Sequence, residues 1–336
     1  VKENAMKETT MKPSTVLTAT LALTAAASLP AWAQDPAAQY PSRPVTLIVN
    51  IAPGAGVDIE TRIYAQKLTD NLKNQFIIDY KPGAGGTLGN SYVAKAAPDG
   101  YTLLSTSSGY TTAAALYKSL PYDPVKDLAP ISLMSRIGYP LMVHPSVPAK
   151  NLKEYLAFSA SKTGGVNFAT SGQGGLPHIL GEWLHSATRN KATFVHYKGG
   201  SPAFTAVMAG EADVAWGGFA AMNAHVKSGK VRFIGVSTAE RSRLYPDLPS
   251  IEEQGVPGFD VASWIGFMAP GRTPVPIINK LSAELTRVTK DPDVKKRIEG
   301  EGGELIGSTP EQFRKLVLTE VTRWRKLAQD VGMQAE

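Results

Sequence analysis

The chain has 336 residues, 43% of them hydrophobic and 19% charged, with a formal charge of +6 and no cysteine. That length and composition suit two α/β globular domains, and the lack of Cys excludes disulfides, thiol nucleophiles and Cys-ligated zinc. The basic residues are scattered. Their densest run, Lys295-Lys296-Arg297, lies among Asp291, Asp293 and Glu299 as on a solvated helix face, so no nucleic-acid partner is expected. A mildly positive surface suits a small anionic ligand.

Lys7 and Lys12 precede an apolar run from Val16 to Leu29, followed by Ala31-Trp32-Ala33. A basic stretch, a short apolar stretch and a small-x-small site predict a Sec signal peptide over residues 1–33, cleaved near Ala33, with Met6 or Met11 as the start. The mature chain is then periplasmic. The run is too short and too rich in Thr and Ala for a membrane span.

Strand and helix patterns alternate from there. Val45–Val49 reads as a strand, followed by a helix carrying Ile59, Ile63, Ala65, Leu68 and Leu72. Phe76–Tyr80 reads as a strand, Leu88–Ala97 as a helix and Leu103–Ser107 as a strand. Further strands are predicted at Ala129–Ser135, Leu141–His144, Val166–Thr170, Thr193–Tyr197, Asp213–Trp216, Val231–Ser237 and Ser263–Met268. Helices intervene at Leu152–Ser161, Ile179–Ala187, Pro202–Ala209 and Ala221–Ser228. The alternation predicts parallel sheets flanked by helices. Thr273-Pro274 opens a helix through Val288, and Thr309-Pro310-Glu311-Gln312 is a capping box with Pro at N1, opening a long final helix. Junctions near Tyr139-Pro140 and between Gly258 and Ser263 are where the chain is expected to cross between domains. The first domain is then discontinuous, 40–138 plus 263–336, and the second is 139–262.

Three strands run into Gly/Ser-rich turns that open helices: Ala52-Pro53-Gly54-Ala55-Gly56-Val57-Asp58, Ser105-Thr106-Ser107-Ser108-Gly109-Tyr110 and Thr170-Ser171-Gly172-Gln173-Gly174-Gly175. Each leaves unpaired N–H groups at a helix start carrying about half a positive charge, and glycine lets an anion approach the backbone. In open α/β sheets ligands sit beyond the carboxyl ends of strands, where these turns lie. Three such turns in two domains point to a cleft for a carboxylate.

Other chemistries lack their motifs. Ile59 stands where a dinucleotide fingerprint needs its third Gly, and there is neither a P-loop nor a G-x-S-x-G elbow. The five histidines are dispersed, so no metal, cofactor or catalytic residue is expected. His178, near the third turn, is a candidate for the cleft, with a packing role as the alternative. Asp58 fits a dipole-complementing or water-holding role better than that of a general base. Tyr110, Trp216, Phe219 and Trp264 stand near strand ends, where aromatics serve either core or cleft.

At these motifs the sequence resembles the Bug-type extracytoplasmic solute receptors of tripartite tricarboxylate transporters. The similarity runs from Tyr40-Pro41-Ser42-Arg43-Pro44 to about Val331. It includes Pro53-Gly54-Ala55-Gly56-Val57-Asp58, Pro82-Gly83-Ala84-Gly85-Gly86, Ala97-Pro98-Asp99-Gly100-Tyr101-Thr102-Leu103, Leu120-Pro121-Tyr122-Asp123-Pro124, Tyr197-Lys198-Gly199-Gly200, Pro246-Asp247-Leu248-Pro249-Ser250 and Thr309-Pro310-Glu311-Gln312-Phe313 with Arg323-Trp324.

The resemblance implies a type II periplasmic-binding-protein fold, two Rossmann-like α/β domains with a cleft between them. It implies a monomer that closes like a Venus flytrap on a small carboxylate and passes it to integral-membrane transporter subunits. The family's first loop, here Gly54 to Asp58, would grip one carboxylate, completed by Ser107 to Thr111 and Ser171 to Gly175. Two departures stand out: Trp216-Gly217-Gly218-Phe219 where many members carry Asp-Asn after an aromatic, and Asn50 where Pro is usual. Both point to a bulkier carboxylate, such as an aromatic acid stacked on Trp216 or Phe219, with Asn50 as an added donor. The alternatives are a receptor of the same fold signalling to a sensor kinase, and a hydrolase on an α/β scaffold.

Overall fold

The computed structural model describes residues 36–53, 56–243, 245–300 and 302–332. The predicted signal peptide, and Gly54 and Ala55 of the first turn, lie outside the described residues. Strands β1 (Val45–Val49), β2 (Phe76–Tyr80) and β3 (Thr102–Ser107) are parallel, with β1 in the middle. All of β1 except Thr46 is buried, as a strand covered on both faces requires. Helices α1 (Gly56–Leu72), α2 (Thr87–Ala94) and α3 (Gly109–Leu116) each follow one of these strands. Then come β4 (Leu128–Gly138), β5 (Pro140–Val143), α4 (Leu152–Ser161), β6 (Val166–Thr170), α5 (Leu176–Ala187), β7 (Ala192–His196) and α6 (Gly200–Met208). The chain continues through β8 (Val214–Trp216), α7 (Phe219–Lys227), β9 (Arg232–Val236), β10 (Ala262–Pro270), α8 (Val275–Val288), α9 (Pro292–Gly300), β11 (Glu304–Leu305) and α10 (Pro310–Asp330).

The strands form two sheets, in the orders β11-β4-β10-β3-β1-β2 and β7-β6-β8-β5-β9. Both are mixed, which corrects the expectation of parallel sheets. β10 lies antiparallel between β3 and β4, and β5 lies antiparallel between β8 and β9. The cause is the path of the chain. β5 and β10 are the strands by which it enters each sheet from the other, so each runs against its neighbours.

The two crossings lie side by side. β4 ends at Gly138 and β5 starts at Pro140; β9 ends at Val236 and β10 starts at Ala262. Ser237, fully buried, joins them. Its N–H donates to the Tyr139 carbonyl (3.0 Å) and its hydroxyl to the Val261 carbonyl (2.6 Å). In return it accepts the Tyr139 N–H on its hydroxyl (2.9 Å) and the Val261 N–H on its carbonyl (2.9 Å).

α10 spans both sheets' cores. Thr309 and Gln312 form the predicted capping box. Phe313, Val317 and Val321 pack with Trp264 over the first sheet, while Trp324, Leu327 and Ala328 join the cluster of the second. Trp183 stands between Phe259 (ring centroids 4.5 Å apart) and Trp324 (5.8 Å). Replacing Ser237 by Ala leaves the Tyr139 N–H and Val261 carbonyl without their side-chain partner. The expected cost is about 1–3 kcal/mol in urea unfolding; an unchanged midpoint would show that the crossing does not depend on this hydroxyl.

Candidate functional site

A cavity of about 1190 Å³ opens where the two sheets face each other. The first turn of α1 (Gly56, Val57) and Ser107 at the end of β3 supply one wall. Gly218 and the first turn of α7 (Phe219, Ala220, Ala221) supply the opposite one. α1 starts beyond a strand of the first sheet and α7 beyond a strand of the second. Two helix starts therefore share one space, and each presents unpaired N–H groups and a partial positive charge. Such an arrangement holds an anion without requiring a full cation beside it.

Apolar positions of α1 complete the wall. Its core face is Val57, Thr61, Tyr64, Ala65 and Leu68. Ile59, which the sequence pattern assigns to that apolar face, is 49% exposed and lines the cavity instead, while Ile63 packs against the core and also borders the cavity. Ile51 and Ile265 add further aliphatic surface. The far end carries Arg62, Lys67 and Arg297 together with Asp70 and Asp293. Lys67 is paired with Asp291 (2.6 Å).

The predicted site residues divide into two groups. Gly56, Val57, Ser107 and Phe219 line the cavity. The others lie in its supports or elsewhere. Pro53 is exposed in its turn. Asp58 is buried and accepts from Tyr80 Oη (2.6 Å) and Arg62 Nε (3.0 Å), so it anchors the start of α1. Asn50 is turned inward: its Nδ2 donates to Asn90 Oδ1 (2.9 Å) and Thr106 Oγ1 (2.8 Å), using both amide hydrogens within the first lobe. Ser108 gives its N–H to the Trp264 carbonyl (3.1 Å). Tyr110 is buried and donates to the Pro124 carbonyl.

In the second lobe, Trp216 is buried in the core, stacked with Phe259 at 5.9 Å, and Gly217 gives its N–H to the Pro140 carbonyl (2.9 Å). One face of Phe219 is covered by Tyr245 at 5.0 Å. The third turn stands apart from the cavity lining. Gly175 donates to the Gly172 carbonyl (3.4 Å), Gly199 donates to the Ser171 carbonyl (3.2 Å), and Gln173 is exposed. Gly174 donates to His178 Nδ1 (3.0 Å) and lies against Leu116 of α3. That bond puts the His178 proton on Nε2, 3.5 Å from Glu182, while the ring meets His196 at 4.5 Å. His178 thus orders the third turn. Among the described residues no His, Asp and Glu cluster is placed to hold a metal.

Three cavity features escape the sequence reading. Gly218 with Ala220 and Ala221 is a fourth strand–glycine–helix step, legible in Trp216-Gly217-Gly218-Phe219 but overshadowed by its aromatics. Ser263 reaches the cavity only because β10 crosses back. Glu60 and Ser135 form a polar pair in the wall, Ser135 Oγ donating to Glu60 Oε2 at 2.7 Å. Burial pushes the Glu60 carboxyl up to about 7.

Behind the cavity a second carboxyl, Glu320 of α10, is buried and accepts from Thr111 Oγ1 (2.7 Å) and Trp264 Nε1 (2.9 Å). Its pKa is pushed up to about 7, because burial outweighs those two donors and the nearby Arg323 and Arg136.

The model of the tripartite tricarboxylate transporter family receptor matches residues 61–333. The chain belongs to that receptor family. Among solved structures, a protein of R. palustris with adipate is 29% identical, with a TM-score of 0.75 over 88% of this chain and 99% of that one. The periplasmic binding protein BugD is 31% identical, with a TM-score of 0.72 over 88% and 100%. MatC from Rhodopseudomonas palustris with bound malate is 32% identical, with a TM-score of 0.71 over 86% and 99%. The fold is that of the two-domain periplasmic binding proteins, and the family consists of solute-binding receptors.

Glu320 gives a signed pH prediction. A glutamate whose folded pKa is about 7 against an ordinary 4.5 stabilises the fold fully below the lower value. That stability is lost as pH rises through the higher one. The slope is on the order of 1 kcal/mol per pH unit. Glu320→Gln keeps an acceptor for Thr111 and Trp264 and is expected to flatten this part of the stability–pH profile. Parallel profiles for the variant and the unaltered protein would contradict it.

Proposed function

We propose that this chain is a periplasmic receptor, exported by its signal peptide, that captures a small aliphatic di- or tricarboxylate and delivers it to the membrane subunits of a tripartite tricarboxylate transporter. The observation that carries the reading is the pair of helix starts, α1 and α7, lining one cavity from opposite sheets. One carboxylate sits at the start of α1 with Ser107, and the helix charge and hydrogen bonds to a charged group supply most of the affinity. Bound adipate and malate in the similar proteins support the ligand class. The aliphatic wall of Ile51, Ile59, Ile63 and Ile265 favours a methylene chain over a stacked aromatic ring, because Trp216 packs in the core and Phe219 already stacks on Tyr245.

Residues 40–138 with 263–336 form one lobe and 139–262 the other. The lobes close on the ligand by bending at the paired crossings, where Ser237 holds two strands in register and few residues need to change conformation. Binding without catalysis is the reading that membership of a family of solute-binding receptors supports.

A calorimetric screen of the chain from Gln34 onward against aliphatic, aromatic and amino-acid carboxylates tests the reading. An aliphatic di- or tricarboxylate is expected to bind. At a hundred-fold excess over its dissociation constant it adds about 2.7 kcal/mol of stability, a rise of several degrees in Tm. Small-angle scattering is expected to show a smaller radius of gyration with ligand. Binding confined to other chemical classes, or turnover of the ligand, would overturn the proposal.

A further inference from the structure

A cavity that receives an anion has a carboxylic acid in its wall. Glu60 is half-buried on the cavity side of α1. Ser135 Oγ donates to its Oε2, and its Oε1 has no hydrogen-bond partner among the described residues. No cation lies within ion-pair distance of it among those residues. The charged and titratable groups around it come from two helices. On α1, Asp58 and Arg62 pair with each other, Lys67 pairs with Asp291, Tyr64 is buried beneath, and Asp70 lies a further turn away. α9 contributes the exposed Asp293 and Arg297. β4 and β10 face it with Ser135, Ser263, Trp264 and Ile265, none of which titrates.

The sheet fixes the distance from Glu60 to the anion end. Ile265 of β10 pairs with Ser107 on one side and with Ser135 on the other. Directly opposed residues of antiparallel strands project on the same face. Ser107 and Ser135 are therefore two strand spacings apart, about 10 Å. A carboxylate at Ser107 and the start of α1 leaves the other end of a short aliphatic diacid within reach of Glu60, across the apolar surface of Ile265.

We infer that Glu60, oriented by Ser135, is the contact for the far end of the ligand: in its neutral form it donates a hydrogen bond to the second carboxylate, so that this position selects dicarboxylates by length and binds them more tightly in acid. The inference rests on the receptor reading above and specifies its ligand class. Ionised, Glu60 would face an anion and repel it; neutral, it supplies a donor beside the aliphatic surface of Ile265. Its pKa near 7 places the change inside the range that a periplasm experiences. Ligand binding raises that pKa further, so capture takes up a proton when the surroundings are alkaline.

The test is calorimetry of the mature chain and of Glu60→Gln with aliphatic dicarboxylates of graded chain length and their monocarboxylate counterparts, near pH 6 and pH 8, in buffers of different ionisation enthalpy. The unaltered protein is expected to bind its preferred dicarboxylate about ten-fold more weakly at the higher pH, with uptake of about one proton there. Glu60→Gln keeps a donor and is expected to bind equally, within about two-fold, at both pH values without proton uptake. Monocarboxylates are expected to show no pH effect in either protein. Dicarboxylate binding that ignores pH, or a pH effect retained in Glu60→Gln, would overturn the role of Glu60 and leave the receptor reading intact. Failure of every dicarboxylate at both pH values would overturn both. Should the variant not fold, proton uptake by the unaltered protein decides alone.

Discussion

The structure depends on one buried hydroxyl-bearing residue. Ser237 binds Tyr139 on one crossing strand and Val261 on the other through four hydrogen bonds, and so fixes how the two sheets stand beside each other. A polar group at zero exposure is stable only when it is fully paired, and here its partners are the backbone atoms that must change sheet. The cavity lies between the two sheets that these crossings join, with α1 on one and α7 on the other. α10 reinforces the arrangement from behind, with Phe313 and Val317 on one core, Trp324 and Leu327 on the other, and Glu320 tying Thr111 to Trp264 at the junction.

Much of this was legible in the sequence, and the reasons differ by feature. Val45–Val49, Phe76–Tyr80 and Val166–Thr170 form strands over the residues their β-branched runs mark. The capping box at Thr309 forms because its hydrogen bonds are local. The resemblance to the receptor family, resting on ordered short motifs, agrees with the family and the solved structures the chain matches. The direction of β5 and β10 was not legible, since periodicity reports burial and carries no information about which way a neighbouring strand runs. The same limit hid Ser263 and Ser135, which reach the cavity only through the pairing of β10 with β3 and β4.

The aromatic and polar candidates show a second limit. Trp216 and Tyr110 end strands or open helices as cleft residues would, yet both turn inward, where large rings bury more surface than a cavity wall would cover. Asn50 suggests a ligand donor by its position, but Asn90 and Thr106 lie close enough to take both its hydrogens, an interaction between residues 40 and 56 positions apart. Conversely Ile59, read as core, is exposed and lines the cavity, while Ile63 serves both core and cavity. Glu60, next to Ile59, lines the same cavity together with Arg62 and Gln66 of the helix.

The cavity combines partial positive charge from two helix starts with aliphatic surface from Ile51, Ile59 and Ile265. The central claim is that the ligand lies between α1 and α7. A crystal structure of the mature chain grown with a bound aliphatic dicarboxylate tests it most directly. One carboxylate is expected within hydrogen-bond distance of the backbone N–H groups at the start of α1 and of Ser107, with the methylene chain against Ile265. A ligand seated instead in the smaller cavity of about 430 Å³ beside Arg136 and Asp260, on the other side of the crossing, would contradict it.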